Sequence, residues 1–252
     1  MTGSQDFKGR SALVTGAASG IGKACAEALA ARGAATLTLI DVDEAGLEAL
    51  DLPCEVNRVV GSVGDPALWQ ELEPQLGKLD HAVVNAGIGS GGAIPDLDFA
   101  EWRRVMDVNL DGAFLTLGTA MRAMGSNGGS AVVVSSTTGV KAIGGIGPYG
   151  VSKAAVAHMA RIAALDGVAN GIRVNAIAPG GVDTAIWESS EDFKALVAAE
   201  GREAAIKKLA STTPNGRFAS SAEMADTILY LLSDAASNIT GHVLVSDGGF
   251  TL

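Results

Sequence analysis

The chain has 252 residues, of which 48% are hydrophobic and 18% charged, and its 28 acidic against 18 basic residues give a net charge of −10. This composition excludes a disordered chain, and the acidic balance argues against a protein that binds nucleic-acid phosphates. Cys25 and Cys54 lie far apart, outside any metal or disulfide spacing. The polar start of the chain lacks a signal-peptide pattern, and no apolar stretch approaches the about 20 residues of a membrane span. We therefore expect a cytoplasmic protein.

Short apolar segments alternate with longer Ala-rich segments, which is typical of βαβ units in a parallel sheet covered on both faces by helices. The predicted strands are 12–15, 36–40, 58–60, 81–85, 131–135, 173–177 and 242–245. The predicted helices are 20–32, 66–76, 99–124, 149–169, 191–209 and 222–232. Asp65 before Pro66 is a predicted N-cap, and Gly33 is a predicted helix stop.

This alternation predicts an α/β fold, with one doubly wound, seven-stranded parallel sheet in a single domain of residues 1–252. Residues 184–217 break the alternation, because they insert extra helix before the last strand. Ligands of open α/β sheets bind beyond the carboxyl ends of the strands. We therefore expect this insertion to lie over the substrate as a lid.

A glycine-rich turn, Thr15-Gly16-Ala17-Ala18-Ser19-Gly20-Ile21-Gly22, follows the first strand and opens a helix. Gly16 permits the tight turn, Gly20 lets the backbone approach a pyrophosphate, and Gly22 lets helix and strand pack closely. The helix N-terminus presents free N–H groups to the anion. Glycines alone are weak evidence, but here strand and helix flank them as phosphate binding requires.

An acidic residue, Asp41, ends the second strand about 20 residues after Gly22, where its carboxylate can accept hydrogen bonds from the ribose hydroxyls of an adenosine. The same charge would repel a 2′-phosphate. No Arg or Lys stands at Ser19 or Val42 to compensate it. The sequence therefore favours NAD over NADP as the cofactor.

Tyr149 and Lys153 follow the polar strand end Ser135-Ser136, and their spacing of four places both on one helix face. A phenol has a pKa near 10, but a nearby ammonium and a cationic nicotinamide both favour the phenolate, which can act as a general base. Taken alone, this spacing more often indicates only a packed ring and a solvated amine. Its place beside a polar strand end in a nucleotide-binding sheet favours catalysis.

Together these motifs resemble the classical short-chain dehydrogenases/reductases, and the resemblance covers essentially the whole chain. Thr15 to Gly22 resembles the TGxxxGxG turn of that family, Asn85-Ala86-Gly87 its NAG element, and Asp247-Gly248-Gly249 its closing DGG. The fold it implies is Rossmann-like. Two positions depart from the family: Val84 stands where an Asn is frequent, and Ser62 stands where an Asp often contacts the adenine.

The resemblance implies a catalytic tetrad of Asn109, Ser136, Tyr149 and Lys153. Tyr149 would take the hydroxyl proton of a secondary alcohol while hydride passes to NAD, and Ser136 would hydrogen-bond the substrate oxygen. Lys153 would lower the pKa of Tyr149 and bind the nicotinamide ribose. Asn109 would hold a water that links Lys153 to solvent; alternatively, it is a helix-interior Asn satisfied by a neighbouring carbonyl.

The same resemblance implies which residues hold the cofactor. They are Gly16, Ser19, Gly20, Ile21, Gly22, Asp41, Ser62, Val63, Asn85, Ala86, Gly87, Tyr149, Lys153, Pro179, Gly180, Val182 and Thr184. The three histidines, His81, His158 and His242, are scattered without partners at ligand spacing, so we expect no metal site.

The leading hypothesis is an NAD-dependent dehydrogenase of secondary alcohols and ketones, with an apolar alicyclic, aromatic or steroid-like substrate. An apolar pocket is expected from Ile88, Ile94, Val140, Ile143 and Ile146. Trp187 and Phe193 form either its lid or an anchor for the inserted helices. A 3-oxoacyl-carrier-protein reductase is an alternative, against which the acidic charge and Asp41 both count. A non-catalytic NAD-sensing protein is another, against which the intact Ser136, Tyr149 and Lys153 count.

The predicted partners are a small-molecule substrate and further copies of the chain, without nucleic acid or membrane. Segments 99–124 and 149–169 carry more apolar positions than one sheet face can use, and the family usually pairs these helices between subunits. We therefore expect a homotetramer, or at least a homodimer.

Overall fold

A seven-stranded parallel sheet runs through residues 6–252, which are the residues described by the computed structural model. Residues 1–5 of the predicted domain lie outside the described residues. The strands are β1 (Ser11–Thr15), β2 (Thr36–Asp41), β3 (Glu55–Val60), β4 (His81–Val84), β5 (Gly129–Val134), β6 (Ile172–Pro179) and β7 (Val243–Ser246). Their order is β3-β2-β1-β4-β5-β6-β7, and every neighbouring pair is parallel. The predicted doubly wound α/β fold is confirmed.

The chain forms helices between these strands. They are α1 (Gly20–Ala31), α2 (Glu44–Glu48), α3 (Pro66–Leu72), α4 (Phe99–Met106), α5 (Gly112–Met124), α6 (Gly147–Gly167), α7 (Glu191–Glu200), α8 (Arg202–Ala210) and α9 (Ser221–Leu232). Asp65 caps α3 by accepting from Ala67 N, and Gly33 follows the end of α1 with φ +92°, both as predicted. Within residues 6–252, no helix is both long and apolar enough to cross a bilayer.

Two helix predictions need correction, and one helix was not predicted. The predicted helix 99–124 is interrupted at Asp107–Asp111 by a π-helical turn, which separates α4 from α5. The predicted helix 191–209 is two helices, because Gly201 adopts φ +83° and ends α7 before α8 begins. The short α2 was not predicted, since Leu47 is its one buried residue and five residues give no readable period.

Helices cover both faces of the sheet and create two buried clusters. On one face α1 and α9 pack together, and Cys25 and Leu29 of α1 join Ile228 and Leu229 of α9 in one cluster. On the other face the cluster includes Trp69 of α3, Leu117 of α5 and Val156 of α6. Because both faces are covered, the exposed backbone of the central strands lies at their ends, where loops can build a site.

His81 opens β4 as a buried group of the fold, with its Nδ1 2.8 Å from Ser130 Oγ and its ring edge-on to Phe7 at 5.1 Å. Burial lowers the pKa of His81 to about 4. An unfolded histidine binds a proton below its ordinary pKa near 6.5, so acid favours the unfolded chain between pH 6.5 and 4.

We expect His81 to remove about 2 kcal/mol of unfolding free energy between pH 7 and pH 5. Urea unfolding of the wild type and of His81→Gln at both pH values, at one protein concentration, measures this difference. His242→Gln is the matched control, since His242 is exposed. An equal loss of stability in wild type and His81→Gln would contradict the prediction.

Candidate active site

The glycine-rich turn after β1 has the tight backbone that the sequence predicts. Gly16 and Gly20 adopt φ +65° and +53°, in the left-handed region that favours glycine. A Cβ on Gly22 would lie 2.0 Å from the carbonyl oxygen of Gly16, so only glycine permits this approach. Ser19 stands at the N-cap of α1 with extended backbone, and half-buried Ile21 lies in its first turn. The turn therefore presents the N-terminus of α1 at the carboxyl edge of the sheet.

Asn85 ties the end of β4 to this turn. Its Nδ2 donates to the carbonyls of Thr15 (3.0 Å) and Gly16 (3.2 Å). In return Thr15 Oγ1 accepts from the backbone N–H groups of Asn85 (3.0 Å) and Ala86 (3.1 Å). These bonds use backbone groups on two neighbouring strands, so the turn and the segment 85–87 form one rigid unit.

Asp41 ends β2 beside the same turn. Its Oδ2 accepts from Ala18 N at 2.9 Å, and its Oδ1 accepts from Asp43 N at 3.1 Å. Each carboxylate oxygen can accept a further hydrogen bond. The carboxylate is thus fixed in place with capacity left for two hydroxyl donors.

Ser62 and Val63 follow β3 but differ in their environments. Ser62 Oγ accepts from Gly64 N at 3.2 Å. Val63 is 5% exposed, and its carbonyl accepts from Trp69 Nε1 at 2.8 Å. Of the two, Ser62 has the more accessible polar group.

The serine turn, residues 136–139, follows β5 and lies directly on α6. Ser136 is 8% exposed, and its Oγ accepts from Thr138 N at 3.2 Å and from Thr138 Oγ1 at 3.1 Å. Ser135 Oγ donates to the carbonyl of Lys153 at 2.7 Å. A Cβ on Gly139 would lie 2.6 Å from the carbonyl carbon of Lys153. These contacts set the distance between Ser136 and the first turns of α6.

Tyr149 and Lys153 lie on that part of α6, as their spacing predicts. Tyr149 lies close enough to Ser136 for the serine hydroxyl to lower the pKa of the phenol. The ammonium of Lys153 lies 5.7 Å from the centroid of the Tyr149 ring and donates to Val134 O at 2.9 Å. Burial lowers the pKa of Lys153 to about 8, so the group is mainly protonated at pH 7.

The protein groups alone do not favour a phenolate at Tyr149. Burial raises the pKa of its phenol, and the neighbouring Ser136 hydroxyl opposes that rise without reversing it. The phenolate predicted from the sequence requires a nearby ammonium and a cationic nicotinamide together. In the protein by itself, desolvation outweighs the ammonium, because a buried anion loses its hydration.

Asn109 lies in the π-helical turn and is 1% exposed. Its Oδ1 accepts from Ile88 N (2.8 Å), and its Nδ2 donates to Ile88 O (3.0 Å) and Ser152 Oγ (3.1 Å). The side-chain amide therefore donates to a neighbouring carbonyl, as the alternative interpretation of Asn109 as a satisfied helix-interior residue requires. A Cβ on Gly87 would meet Lys153 Nζ at 3.1 Å and Asn109 Oδ1 at 3.3 Å, so these two polar groups flank Gly87.

The segment after β6 contacts the glycine-rich turn. Pro179 ends β6, and Gly180 N donates to Ser246 O at 3.0 Å. Val182 is buried. The side chain of Thr184 packs close to Gly20, since a Cβ on Gly20 would lie 3.2 Å from Thr184 Cγ2. A cavity of about 620 Å³ between α1, residues 183–188 and α9 is lined by both Gly20 and Thr184. The start of α1 and the segment after β6 are thus neighbours at this edge of the sheet.

Comparison with known proteins agrees with this geometry. Residues 16–251 match the family described as "Enoyl-(Acyl carrier protein) reductase". A cis-4-hydroxycyclohexanecarboxylate dehydrogenase of Sinomonas cyclohexanicum is 39% identical, over 97% of this chain and 98% of its own. This chain belongs to the short-chain dehydrogenase/reductase family.

Other members support the same assignment. The 3beta-hydroxysteroid dehydrogenase of Mediterraneibacter gnavus is 36% identical, over 95% of this chain and 94% of its own. The 3-oxoacyl-[acyl-carrier-protein] reductase of Thermotoga maritima is 34% identical, over 98% and 99%. The crystal structure of levodione reductase superposes with a TM-score of 0.87 at 34% identity, covering 96% of this chain and 98% of that one. This short-chain dehydrogenase/reductase is thus an oxidoreductase by family.

In this short-chain dehydrogenase/reductase the aromatic residues of the insertion pack against the protein body. Trp187 stacks on Phe218 at 5.1 Å, lies 6.1 Å from Phe193, and donates through Nε1 to Val182 O at 2.8 Å. Phe193 is 2% exposed. This packing favours the anchoring alternative over an aromatic lid.

The predicted apolar pocket residues are partly open to solvent. Ile94 is 65% exposed, Val140 52% and Ile143 39%. Ile94 Cδ1 lies 2.9 Å from where a Cβ on Gly147 would stand, two residues before Tyr149. An accessible apolar surface therefore lies beside the start of α6 and includes the residue that follows the serine turn, Val140.

Sequence reasoning missed the residues that brace the serine turn, Ser135, Thr138 and Gly139. Thr138 carried a usable signal, because a threonine two residues after a serine can bond it in a local turn. The other two contacts depend on how closely the turn approaches α6, which no local pattern encodes.

Proposed function

We propose that this chain is an NAD-dependent oxidoreductase that interconverts a secondary alcohol and a ketone, with Tyr149 as general acid and base. The observation that carries the proposal is the packing of the serine turn against the first turns of α6, where the Lys153 ammonium lies 5.7 Å from the centroid of the Tyr149 ring. The glycine-rich turn at the same sheet edge supports a nucleotide cofactor.

In this mechanism Tyr149 accepts the proton of the substrate hydroxyl in oxidation and returns it in reduction. Ser136 donates a hydrogen bond to the substrate oxygen and stabilises its developing charge. Lys153, buried and mainly protonated at pH 7, lowers the cost of a phenolate beside it. A nicotinamide, when bound, supplies or accepts the hydride and in its oxidised form adds a second positive charge. Both amide hydrogens of Asn109 are engaged by Ile88 O and Ser152 Oγ, so the water that we propose between Lys153 and solvent would be held by the second lone pair of Asn109 Oδ1.

The residues present fit such a cofactor, because Gly16 and Gly22 permit the tight turn, which a Cβ at either position would push against Asn85 or Gly16, and this turn presents the N-terminus of α1 to an anion. We propose that the pyrophosphate contacts the turn, that Asp41 binds the adenosine ribose, and that Ser62 and Val63 border the adenine. The remaining contacts are assigned to the rest of the predicted set: Ser19, Gly20, Ile21, Asn85, Ala86, Gly87, Tyr149, Lys153, Pro179, Gly180, Val182 and Thr184.

The substrate we propose is a cyclic, mainly apolar secondary alcohol or its ketone. The exposed Ile94, Val140 and Ile143 support an apolar ring, and relatives named for hydroxycyclohexanecarboxylate and hydroxysteroid oxidation support a cyclic alcohol. A carrier-protein-linked substrate is the second candidate, supported by the family description and the Thermotoga relative. The net charge of −10 disfavours docking of an acidic carrier.

The test is reduction of NAD by the purified protein across aliphatic, alicyclic, aryl and steroid secondary alcohols, with NADP in parallel. Turnover of cyclic alcohols with NAD would support the proposal. Turnover of 3-oxoacyl thioesters alone would establish the second candidate. Tight NAD binding with no turnover of any substrate would instead favour the sensor alternative.

We also propose a homotetramer in the cytoplasm, formed by one domain whose insertion 184–217 borders the substrate. Apolar side chains of α4, α5, α6 and the residue that follows α6 support assembly: Phe99 is 71% exposed, Phe114 63%, Ile162 50%, Leu165 79% and Val168 58%. Free Cys25 and Cys54 fit a reducing compartment.

At micromolar concentration we expect a solution mass close to four times the 25.3 kDa of one chain. Phe114→Glu with Leu165→Glu should reduce it, since each carboxylate would be buried without a partner. Light scattering after gel filtration measures the mass, with the exposed Tyr230→Glu as control. A monomeric wild type would contradict this prediction.

A further inference from the structure

Gly89, in the loop that follows β4, is in direct contact with the insertion. A Cβ on Gly89 would lie 2.2 Å from Ser189 Oγ, 3.2 Å from Ser189 Cβ and 3.2 Å from the carbonyl oxygen of Ile186. The φ of Gly89 lies outside the left-handed region, so other residues can adopt it. Glycine is therefore needed at this position for the close approach of the insertion and not for the backbone conformation.

Residues 184–189, the strap, reach this contact from the glycine-rich turn. At one end of the strap the side chain of Thr184 packs close to Gly20, and at the other end Ser189 packs on Gly89. Gly20 lies beyond β1 and Gly89 beyond β4, and these two strands are neighbours in the sheet. The strap therefore spans the carboxyl edge of the sheet between the glycine-rich turn and the loop after β4.

The loop side of this contact is held firmly. Asn109 Oδ1 accepts from Ile88 N at 2.8 Å, and Asn109 Nδ2 donates to Ile88 O at 3.0 Å, so both backbone groups of the residue before Gly89 are engaged. Three residues further on, Gly92 N donates to Gly145 O at 2.7 Å. A side chain at position 89 would therefore displace the strap rather than the loop.

The strap is the more exposed partner of this contact. None of the five residues of its helical turn, Ala185–Ser189, is buried. Ser189 Oγ donates to Ile186 O at 2.7 Å, and Trp187 Nε1 donates to Val182 O at 2.8 Å. A Cβ at position 89 would force Ser189 out of the rotamer that makes its bond and would also crowd the acceptor of that bond.

We propose that Gly89 is a specificity-determining residue, because its lack of a side chain lets Ser189 pack on the loop and so sets the height of the strap above the substrate. The effect on substrates rests on the proposed function, whereas the seating of the strap does not. The same loop continues to Ile94, which lies close to the start of α6, two residues before Tyr149. A strap lifted from Gly89 would widen the space between itself and Tyr149, so larger rings would fit and a single ring would lose contacts.

The test is amide hydrogen exchange of the strap in the wild type, Gly89→Ala, Ser189→Ala and the double variant, with no cofactor or substrate added. The Ser190 N–H, which donates to Trp187 O at 3.0 Å, reports whether the strap is seated. We expect Gly89→Ala to accelerate this exchange about tenfold when Ser189 is present. When Ser189→Ala has removed the atom at 2.2 Å, the same substitution should change the exchange less than about twofold.

Gly91→Ala is the matched control, because it lies in the same loop and the nearest atom to its Cβ would be Gly145 O, at an ordinary contact distance of 3.5 Å. It should leave exchange in the strap unchanged. Melting temperatures establish that each variant folds. Ser189→Val, which fills the contact from the side of the strap, replaces Gly89→Ala if that variant does not fold.

Unchanged exchange in folded Gly89→Ala overturns the inference, and so does an equal acceleration with and without Ser189. An acceleration that depends on Ser189 supports the seating of the strap on Gly89, even if no alcohol is a substrate and the proposed function fails.

In an active enzyme, we expect Gly89→Ala to raise the ratio of kcat/KM for a 3-hydroxysteroid to kcat/KM for cyclohexanol about tenfold, since one methylene in a pocket changes discrimination by about 10- to 200-fold. Gly91→Ala should keep the wild-type ratio. A wild-type ratio in Gly89→Ala would overturn the specificity role of this residue.

Discussion

Replacing Tyr149 by phenylalanine is expected to lower kcat by about 10²- to 10⁴-fold, because the variant keeps the ring but loses the group that exchanges the substrate proton. NAD binding should survive, since the ring still packs beside Lys153. Steady-state turnover of the best alcohol and calorimetric titration with NAD separate the two effects.

Tyr230→Phe is the matched control, because it removes the phenol hydroxyl of the second tyrosine, which lies on α9 and is 45% exposed. It should have wild-type kcat. If Tyr149→Phe kept more than about a tenth of the wild-type kcat, another group would have to transfer the proton and the assignment would be wrong.

The second large effect concerns the choice between NAD and NADP. Asp41 is held by Ala18 N at 2.9 Å, so its carboxylate cannot turn away from an incoming 2′-phosphate. We expect kcat/KM to favour NAD by about 100-fold or more, because like charges in contact cost several kcal/mol. Asp41→Ser with Val42→Arg should reverse this preference, since it removes the repulsion and adds a cation at an exposed neighbouring position.

Val42→Arg alone is the control, because it adds the cation while the carboxylate remains. It should leave NAD as the preferred cofactor. Melting temperatures are needed for each variant, since Asp41→Ser also removes the acceptor of the Ala18 N–H. A wild-type enzyme that prefers NADP would contradict the role given to Asp41.

The sequence was most informative where burial imposes a simple pattern. The seven apolar segments correspond to the seven strands, because parallel strands covered on both faces must be apolar along their length. Edge strand β3 is the least complete of these predictions. It begins at Glu55 rather than Arg58, since its exposed edge tolerates the polar residues that concealed it.

Helix interruptions were the least predictable feature. The π-helical turn at Asp107–Asp111 contains one residue more than an α-helical turn, and its amino-acid composition does not distinguish it from the flanking helices. The pattern from Phe99 to Met124 therefore predicted one continuous helix. Gly201 was visible in the sequence, but a glycine within a helix is tolerated about as readily as one that ends it. Only its φ of +83° distinguishes the two cases.

The candidate site divides in the same way. The proximity of Ser136, Tyr149 and Lys153 could be predicted from the sequence. The carboxyl ends of parallel strands meet at one sheet edge, and two residues four positions apart lie on the same face of a helix. The bracing by Ser135, Thr138 and Gly139 could not, since it depends on distances below 3.5 Å between a turn and a helix. The raised pKa of Tyr149 was also missed, because desolvation is a property of the packed site.

The cluster that joins α1 to α9 has a consequence for synthesis on the ribosome. Leu29 of α1 is synthesised about 200 residues before Ile228 and Leu229 of α9, which lie in the same cluster. At a translation rate of about 5–20 residues per second, the apolar face of α1 lacks its packing partner α9 for roughly 10–40 s. Nascent chains that end before α9 are therefore expected to bind chaperones through α1 and to resist protease only once α9 has emerged.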